Sequence, residues 1–355
     1  MIPVSAIEYV NVRIRGYHSR LFTRSTYEDL LGGDNLGAIT TFLLDRPDYR
    51  EDIERALGGM PEREGLERGV TDHFVRCISD IHSMTSGEVR MLVELALISF
   101  DLRNLCISIL SHRRKLPFSD VEHMIVPCGI LDRSKLAELY TMSDIGGILS
   151  YVMSHYPYIG KSLRSAIADS SDGEPYVKLL NRLEMNLYRR ILRDLGDDSD
   201  PDRSALKYIY RLEIDLKNMV AAFKYIWEGT APGKKHIEPF IPGGTISVGL
   251  LNDMTLVKEL DEALELIERT RFHEAVEKGI IYYAETGFLH EMERFFEEVL
   301  IRKAQTTRRF HPFGIGVFLG YAWALFAEMT NLRAIITGIS FKTGAGQIRK
   351  GLIHV

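Results

Sequence analysis

What the chain lacks narrows it first. Its 355 residues include only three cysteines, Cys77, Cys106 and Cys128, at no paired spacing. They make neither a disulfide framework nor a zinc pattern, which points to a reducing compartment. No apolar run approaches the ~20 residues that a bilayer-spanning helix needs. The longest, around Phe313 to Ile336, is broken by Gly320, Glu328 and Arg333. Glu8, Arg13 and Arg15 interrupt the apolar pattern of the N-terminus, so it does not read as a signal peptide. A net charge of −5 leaves no basic footprint for nucleic acid.

Traces of catalysis are equally sparse. The 11 histidines are scattered, with no HExxH pair, no GxSxG elbow and no phosphate loop ending in Gly-Lys-Ser/Thr. GISFKTGAGQ, Gly338 to Gln347, has the wrong order for a phosphate loop and reads as a helix C-cap and turn. Glu291, Glu293, Glu297 and Glu298 read as a solvated helix face. No catalytic residue, cofactor, metal or small-molecule substrate is expected.

What is present is a repetition. The chain writes an acid, two residues, an asparagine and an apolar residue at Asp101 to Leu105, Asp215 to Met219 and Glu328 to Leu332. Asn104 and Asn218 are 114 positions apart, Asn218 and Asn331 113. A weaker relative, Glu8 with Asn11, opens the chain. Around each asparagine, apolar residues recur at −6, −2, +1 and +5: Ile98, Leu102, Leu105 and Ile109 in the first copy. The steps of 4, 3 and 4 trace one face of an α-helix. Seventeen residues before the asparagine stand the helix breakers Gly87, Pro201 and Gly314. The acid and the asparagine, three apart, share a side of the helix. They read as a semi-buried polar pair that fixes packing, bonding each other or a neighbouring helix, or as a ligand site written three times.

The likeness runs further. IVPCGIL, Ile125 to Leu131, matches FIPGGTI, Phe240 to Ile246, which sets Pro127 against Pro242 and Gly129 against Gly244. LFTRSTYEDL from Leu21 matches ILDRSKLAEL from Ile130, and at the same offset Tyr49 falls on Tyr158. Three copies of a helical unit account for the common spacing. The expected fold is therefore all-α, with three similar helical domains at 1–115, 116–230 and 231–355. Loops are expected at Ser111 to Phe118, Ala168 to Pro175, Gly196 to Asp202 and Glu228 to Gly244. Leu57 to Gly69 reads as a loop or weak helix, and Thr245 to Val248 is the one strand-like stretch.

The opening YVNVRIRGYHSRL, the three acid-x-x-Asn helices, the segment HPFGIGVFLGYAWALFAEMTNLRAI and the ending GQIRKGL resemble the C-type subunits of archaeal and bacterial A/V-type rotary ATPases, whose eukaryotic counterparts are the d-type subunits. The resemblance spans essentially the whole chain. It implies a funnel of three helical domains about a pseudo-threefold axis, peripheral on the cytoplasmic face of the membrane. Such a protein is a non-catalytic part of the rotor. It is a socket that receives the central shaft (the D- and F-type subunits), sits on the proteolipid ring and transmits torque. Arg13 and Arg333, each two positions after its asparagine, are candidate partner contacts, expected to meet near a seam that closes the ring of domains. Two other readings stand beside this one: a free-standing helical adaptor that binds proteins, and an all-α enzyme whose three acid/asparagine pairs converge on a metal.

Overall fold

The computed structural model describes residues 6–33, 35–170, 174–227, 240–257, 259–286 and 290–353. Positions 228–239 of the expected 228–244 loop, 171–173 of the 168–175 loop and the last two residues lie outside them. The described residues are all-helical, with eighteen α-helices, one short 3-10 helix and no strand. They cluster into two compact units, 1–148 with 307–355, and 149–306.

Local chemistry starts the helices. Thr23 forms a capping box with Thr26, while Asn35, Asp132 and Ser247 each accept the N–H three residues on. The three repeat helices are Gly87–Arg113, Pro201–Trp227 and Gly316–Ser340. Two begin on the breakers themselves. Gly87 takes a φ of +56° that suits glycine, and Pro201 brings a preset φ to the first helical position. The stripe residues of these helices are buried, apart from half-buried Leu216.

In the first unit, the helix Glu62–Ser83 packs between Arg50–Leu57 and the third repeat helix. Phe74, Phe100 and Phe326 meet edge-on or tilted in its core, 5.6–6.2 Å apart. The polar run from Leu57 is therefore helical from Glu62, not a loop. Arg63–Glu67 and Arg68–Asp72 support it as i,i+4 ion pairs. In the second unit, Met219, Phe223, Leu251, Phe272 and Phe296 form one buried cluster. The Phe296 ring lies 5.6 Å from Phe272 and 6.2 Å from Phe223. Thr245 to Val248 is not a strand: Ser247 caps the helix Val248–Met254.

Phe296 is fully buried between the Phe223 and Phe272 rings. Phe296→Ala should therefore cost about 3–5 kcal/mol, read as a lower denaturant midpoint at unchanged slope. A loss below about 1 kcal/mol would show that this cluster collapses freely around the gap.

Candidate functional site

The three asparagines do the same thing in three places. Asn104 Nδ2 donates to the Val126 carbonyl at 2.8 Å while its Oδ1 accepts the Val126 N–H at 3.0 Å. Asn218 holds Ile241 in the same way, with both bonds at 2.8 Å. Asn331 holds Ile353 at 3.0 and 2.7 Å. One side-chain amide thus pairs with both the N–H and the C=O of one residue in the segment that returns after the helix, as a neighbouring strand would. Only a side chain with a donor and an acceptor on one short stem can do this, which leaves out aspartate and leucine of similar size. All six groups are buried, so each would cost free energy if unpaired.

The acid one turn earlier holds the next part of the same segment. Asp101 accepts the N–H groups of Ile130 and Leu131 at 3.0 and 2.9 Å. Asp215 accepts those of Thr245 and Ile246 at 2.8 and 2.9 Å, and also bonds the Thr245 hydroxyl. The acid and the asparagine share a helix side, as their spacing implies, but both bond this extended segment rather than each other. The matched glycines now have a reason. A Cβ at Gly129 would fall inside the Asp101 carboxylate, and one at Gly244 on Asp215 Oδ1.

The third helix changes the pattern. Its acid is Glu328, and its partner is the Phe22 N–H, 306 positions earlier in the chain. The repeat offset sets Phe22 against Leu131, so the opening stretch of the chain takes the part that a downstream segment plays in the first two copies. The second oxygen of Glu328 accepts the Tyr49 hydroxyl at 2.7 Å. Arg349 adds a bidentate pair with Glu28 at 2.7–3.0 Å. Below Tyr49 lies a group that sequence pattern did not reveal. The His73 ring stacks on Tyr49 with centroids 3.7 Å apart, and Asp52 bonds both His73 and Arg76. A cavity of about 550 Å³ opens beside them, lined by Arg20, Arg46, His73, Arg76 and Tyr321.

Burial dominates the electrostatics. It pushes the Asp101 carboxyl up to about 7 against the pull of its two N–H donors. Burial likewise raises Asp215 and Glu328. His73 goes the other way from a buried histidine: burial lowers it, yet its bonds to Asp52 and Cys77 bring it to about 9.

Other expected residues fall in different settings. Asn11 is buried but uses its donor, on the Gly314 carbonyl at 3.2 Å, and Glu8 is exposed. Arg13 is exposed, with its guanidinium 5.9 Å from the Tyr17 ring. Arg333 donates to the His123 carbonyl at 2.6 Å. The N-terminal helix Ala6–His18 lies on the start of the third repeat helix, with Tyr17 against Tyr321. Arg333 is twelve residues further along, about 18 Å of helix, so the two arginines are not brought together. Near Arg333, a closed ring of ion pairs joins Arg68, Glu122, Arg133 and Asp72 at 2.6–2.9 Å. It fastens both ends of the segment that Asn104 and Asp101 hold. Among the described residues, no group of three or more His, Cys, Asp or Glu is disposed to hold a metal ion, and no helix is long and apolar enough to cross a membrane.

Comparison with known proteins adds the family context. The model of the ATP synthase (C/AC39) subunit family matches residues 10–351. The C-type subunit of the A-type ATP synthase of Methanothermobacter thermautotrophicus is 22% identical over 342 residues, 92% of this chain and 82% of that protein. Its counterpart in Methanocaldococcus jannaschii is 20% identical over 356 residues, 100% of this chain and 88% of that protein. The one in Thermococcus kodakarensis is 24% identical over 329 residues, 92% of this chain and 85% of that protein.

Gly129→Ala and Gly244→Ala should each displace a buried carboxylate from its amides and cost roughly 1–3 kcal/mol. Gly346→Ala, with open space around its Cβ position, should cost under about 0.5 kcal/mol. Equal melting temperatures for the three variants would contradict the close approach. The raised Asp101 also has a signed consequence. Its folded value lies above its ordinary 3.8, so its contribution is complete below about pH 4 and is lost as pH rises toward 7. In denaturation at pH 4, 5.5 and 7, wild type should lose stability relative to Asp101→Asn, on the order of a few kcal/mol across the range. A difference that stays constant with pH would show that Asp101 ionises as freely folded as unfolded.

Proposed function

This chain belongs to the ATP synthase (C/AC39) subunit family, and from that premise we propose that it is the non-catalytic central-stalk component of an A/V-type rotary ATPase. In this reading it is a peripheral socket on the cytoplasmic face, seated on the membrane proteolipid ring and holding the end of the central shaft. It carries torque between ion flow and ATP turnover. The match over residues 10–351 carries the proposal. Its relatives are named as C-type subunits of A-type ATP synthases.

The physics of the site suits a coupler. A torque-bearing part must deform little, and close-packed helices are weakly compressible. The acid/asparagine pairs tie the first two repeat helices to their returning segments by four and five hydrogen bonds, and Asn331 adds two in the third copy, which turns a loop into a strut. The carboxylates are occupied by amides, an arrangement for holding shape rather than for acid–base turnover. We further propose that the chain is built as three such units, at 1–115, 116–230 and 231–355, arranged as a funnel about a pseudo-threefold axis. The start of the chain would then complete the third unit. Of the two arginines, Arg13 is exposed and so open to a contact outside the chain, and Arg333, engaged on the His123 carbonyl, is assigned to internal support.

The test is recovery of the complex. The tagged chain, drawn from gently solubilised membranes of its host, should bring down a proteolipid, two shaft proteins and an ATP-hydrolysing head. Asn331→Ala, which opens the third clamp, should lower ATP-coupled ion transport several-fold while leaving hydrolysis by the head intact. Recovery of the chain alone from the soluble fraction would reject the rotor assignment and favour a free-standing adaptor.

A further inference from the structure

The surface formed by the N-terminal helix and the turn before the third repeat helix is unlike the rest of this acidic chain. The two segments are fastened together: Asn11 bonds the Gly314 carbonyl, Arg15 bonds the Pro312 carbonyl, and the Arg15 guanidinium lies 5.9 Å from the Phe313 ring. Phe310 and Phe313 stand out on either side of Pro312 with 78% and 69% of their surface exposed, and Val12 is 65% exposed. Phenylalanines this bare are costly unless something covers them. The two stretches of chain that carry them bear charge of one sign, with exposed Glu8 one turn before Val12. No aspartate or glutamate occurs from position 9 to 27 or from 299 to 327. Arg13, Arg15 and Arg309 are exposed there. The positive field reaches His18, which burial first and then the charge of Arg308 hold below its ordinary value.

We propose that this surface docks on an anionic phospholipid bilayer, with Phe310 and Phe313 entering the interface and the arginines binding lipid phosphate. Charge complementarity selects this occupant. A bilayer offers negative charge in a layer and apolar depth directly beneath it, which matches rings that protrude from a turn between guanidinium groups. Arginine suits phosphate because its planar fork can donate two parallel bonds. The inference goes beyond the rotor assignment and does not need it. No described helix can cross a bilayer, so any hold on lipid by this part of the chain is a surface contact.

Vesicle flotation with the full-length chain tests it. Wild type should float with vesicles of phosphatidylglycerol and phosphatidylcholine, and not with phosphatidylcholine alone. Binding should fall as salt is raised. The double variants Phe310→Ser/Phe313→Ser and Arg13→Glu/Arg309→Glu should each weaken flotation at least about tenfold. Their melting curves should match wild type, because all four side chains are exposed. Wild type that stays in solution, or variants that float as well as wild type, would overturn the proposal. So would wild type that ignores vesicles yet binds a lipid-free purified proteolipid ring through these residues, which would make the patch a protein interface. Recovery of wild type in an ATPase complex is read separately, so this inference can fail while the rotor assignment stands.

Discussion

The architecture depends on a buried carboxamide pairing with the N–H and C=O of a single residue. A helix can bury an apolar stripe against almost any neighbour, but a chain segment with no secondary structure cannot enter a core unless its N–H and C=O groups find partners. Asn104, Asn218 and Asn331 provide that partner for Val126, Ile241 and Ile353. With the peptide satisfied, Val126, Ile241 and Ile353 can bury their apolar side chains beside the repeat helix. The acid one turn earlier then fixes where the segment turns, and a glycine lets the backbone come close enough to be held. Each element of the motif therefore answers a need created by the one before it.

The third copy follows the same logic with different parts. Its returning segment reaches the Ile353 clamp, and among the described residues no downstream turn meets the acid. Phe22 fills that place from the other end of the chain. Where the first two copies place a glycine against a short aspartate, the corresponding residue here is Arg20, and the acid is the longer glutamate. Its other oxygen takes Tyr49, which carries the His73, Asp52 and Arg76 group behind it. A long-range contact replaces a local one, and additional buried ion pairs accompany it. The contact fastens Phe22 and Tyr49 to the third repeat helix within one packed unit.

The helical character, the repeat and the positions of the three asparagines were all legible in the sequence, because each is a periodic signal. The partners of the polar pair were not. Val126, Leu131 and Ile246 are bonded through the main chain, and nothing in a residue's identity announces what its backbone will accept. Gly129 and Gly244 stood out as matches, but the carboxylate each must clear is visible only in three dimensions. The link from Glu328 to Phe22 and Tyr49 spans some 300 positions and leaves no periodic trace. Arg13 and Arg333 shared a position relative to their asparagines, yet Asn11 does not build a clamp, so the equivalence stops at the sequence. The helix from Glu62 was obscured because its charges and glycines resemble a loop. Those charges pair along the helix, and Gly69 lies against the backbone of Ile53.

Amide hydrogen exchange, resolved by residue in the intact chain, reads whether these main-chain bonds hold in solution. The N–H groups of Val126, Ile241 and Ile353 and those of Leu131, Ile246 and Phe22 belong to no helix, and Phe22 and Ile353 lie near the two ends of the chain. All six should exchange as slowly as amides inside the repeat helices, through opening of the surrounding core. Phe22 or Ile353 exchanging as fast as a free terminus, while Val126 and Leu131 remain protected, would contradict closure of the third copy by the start of the chain.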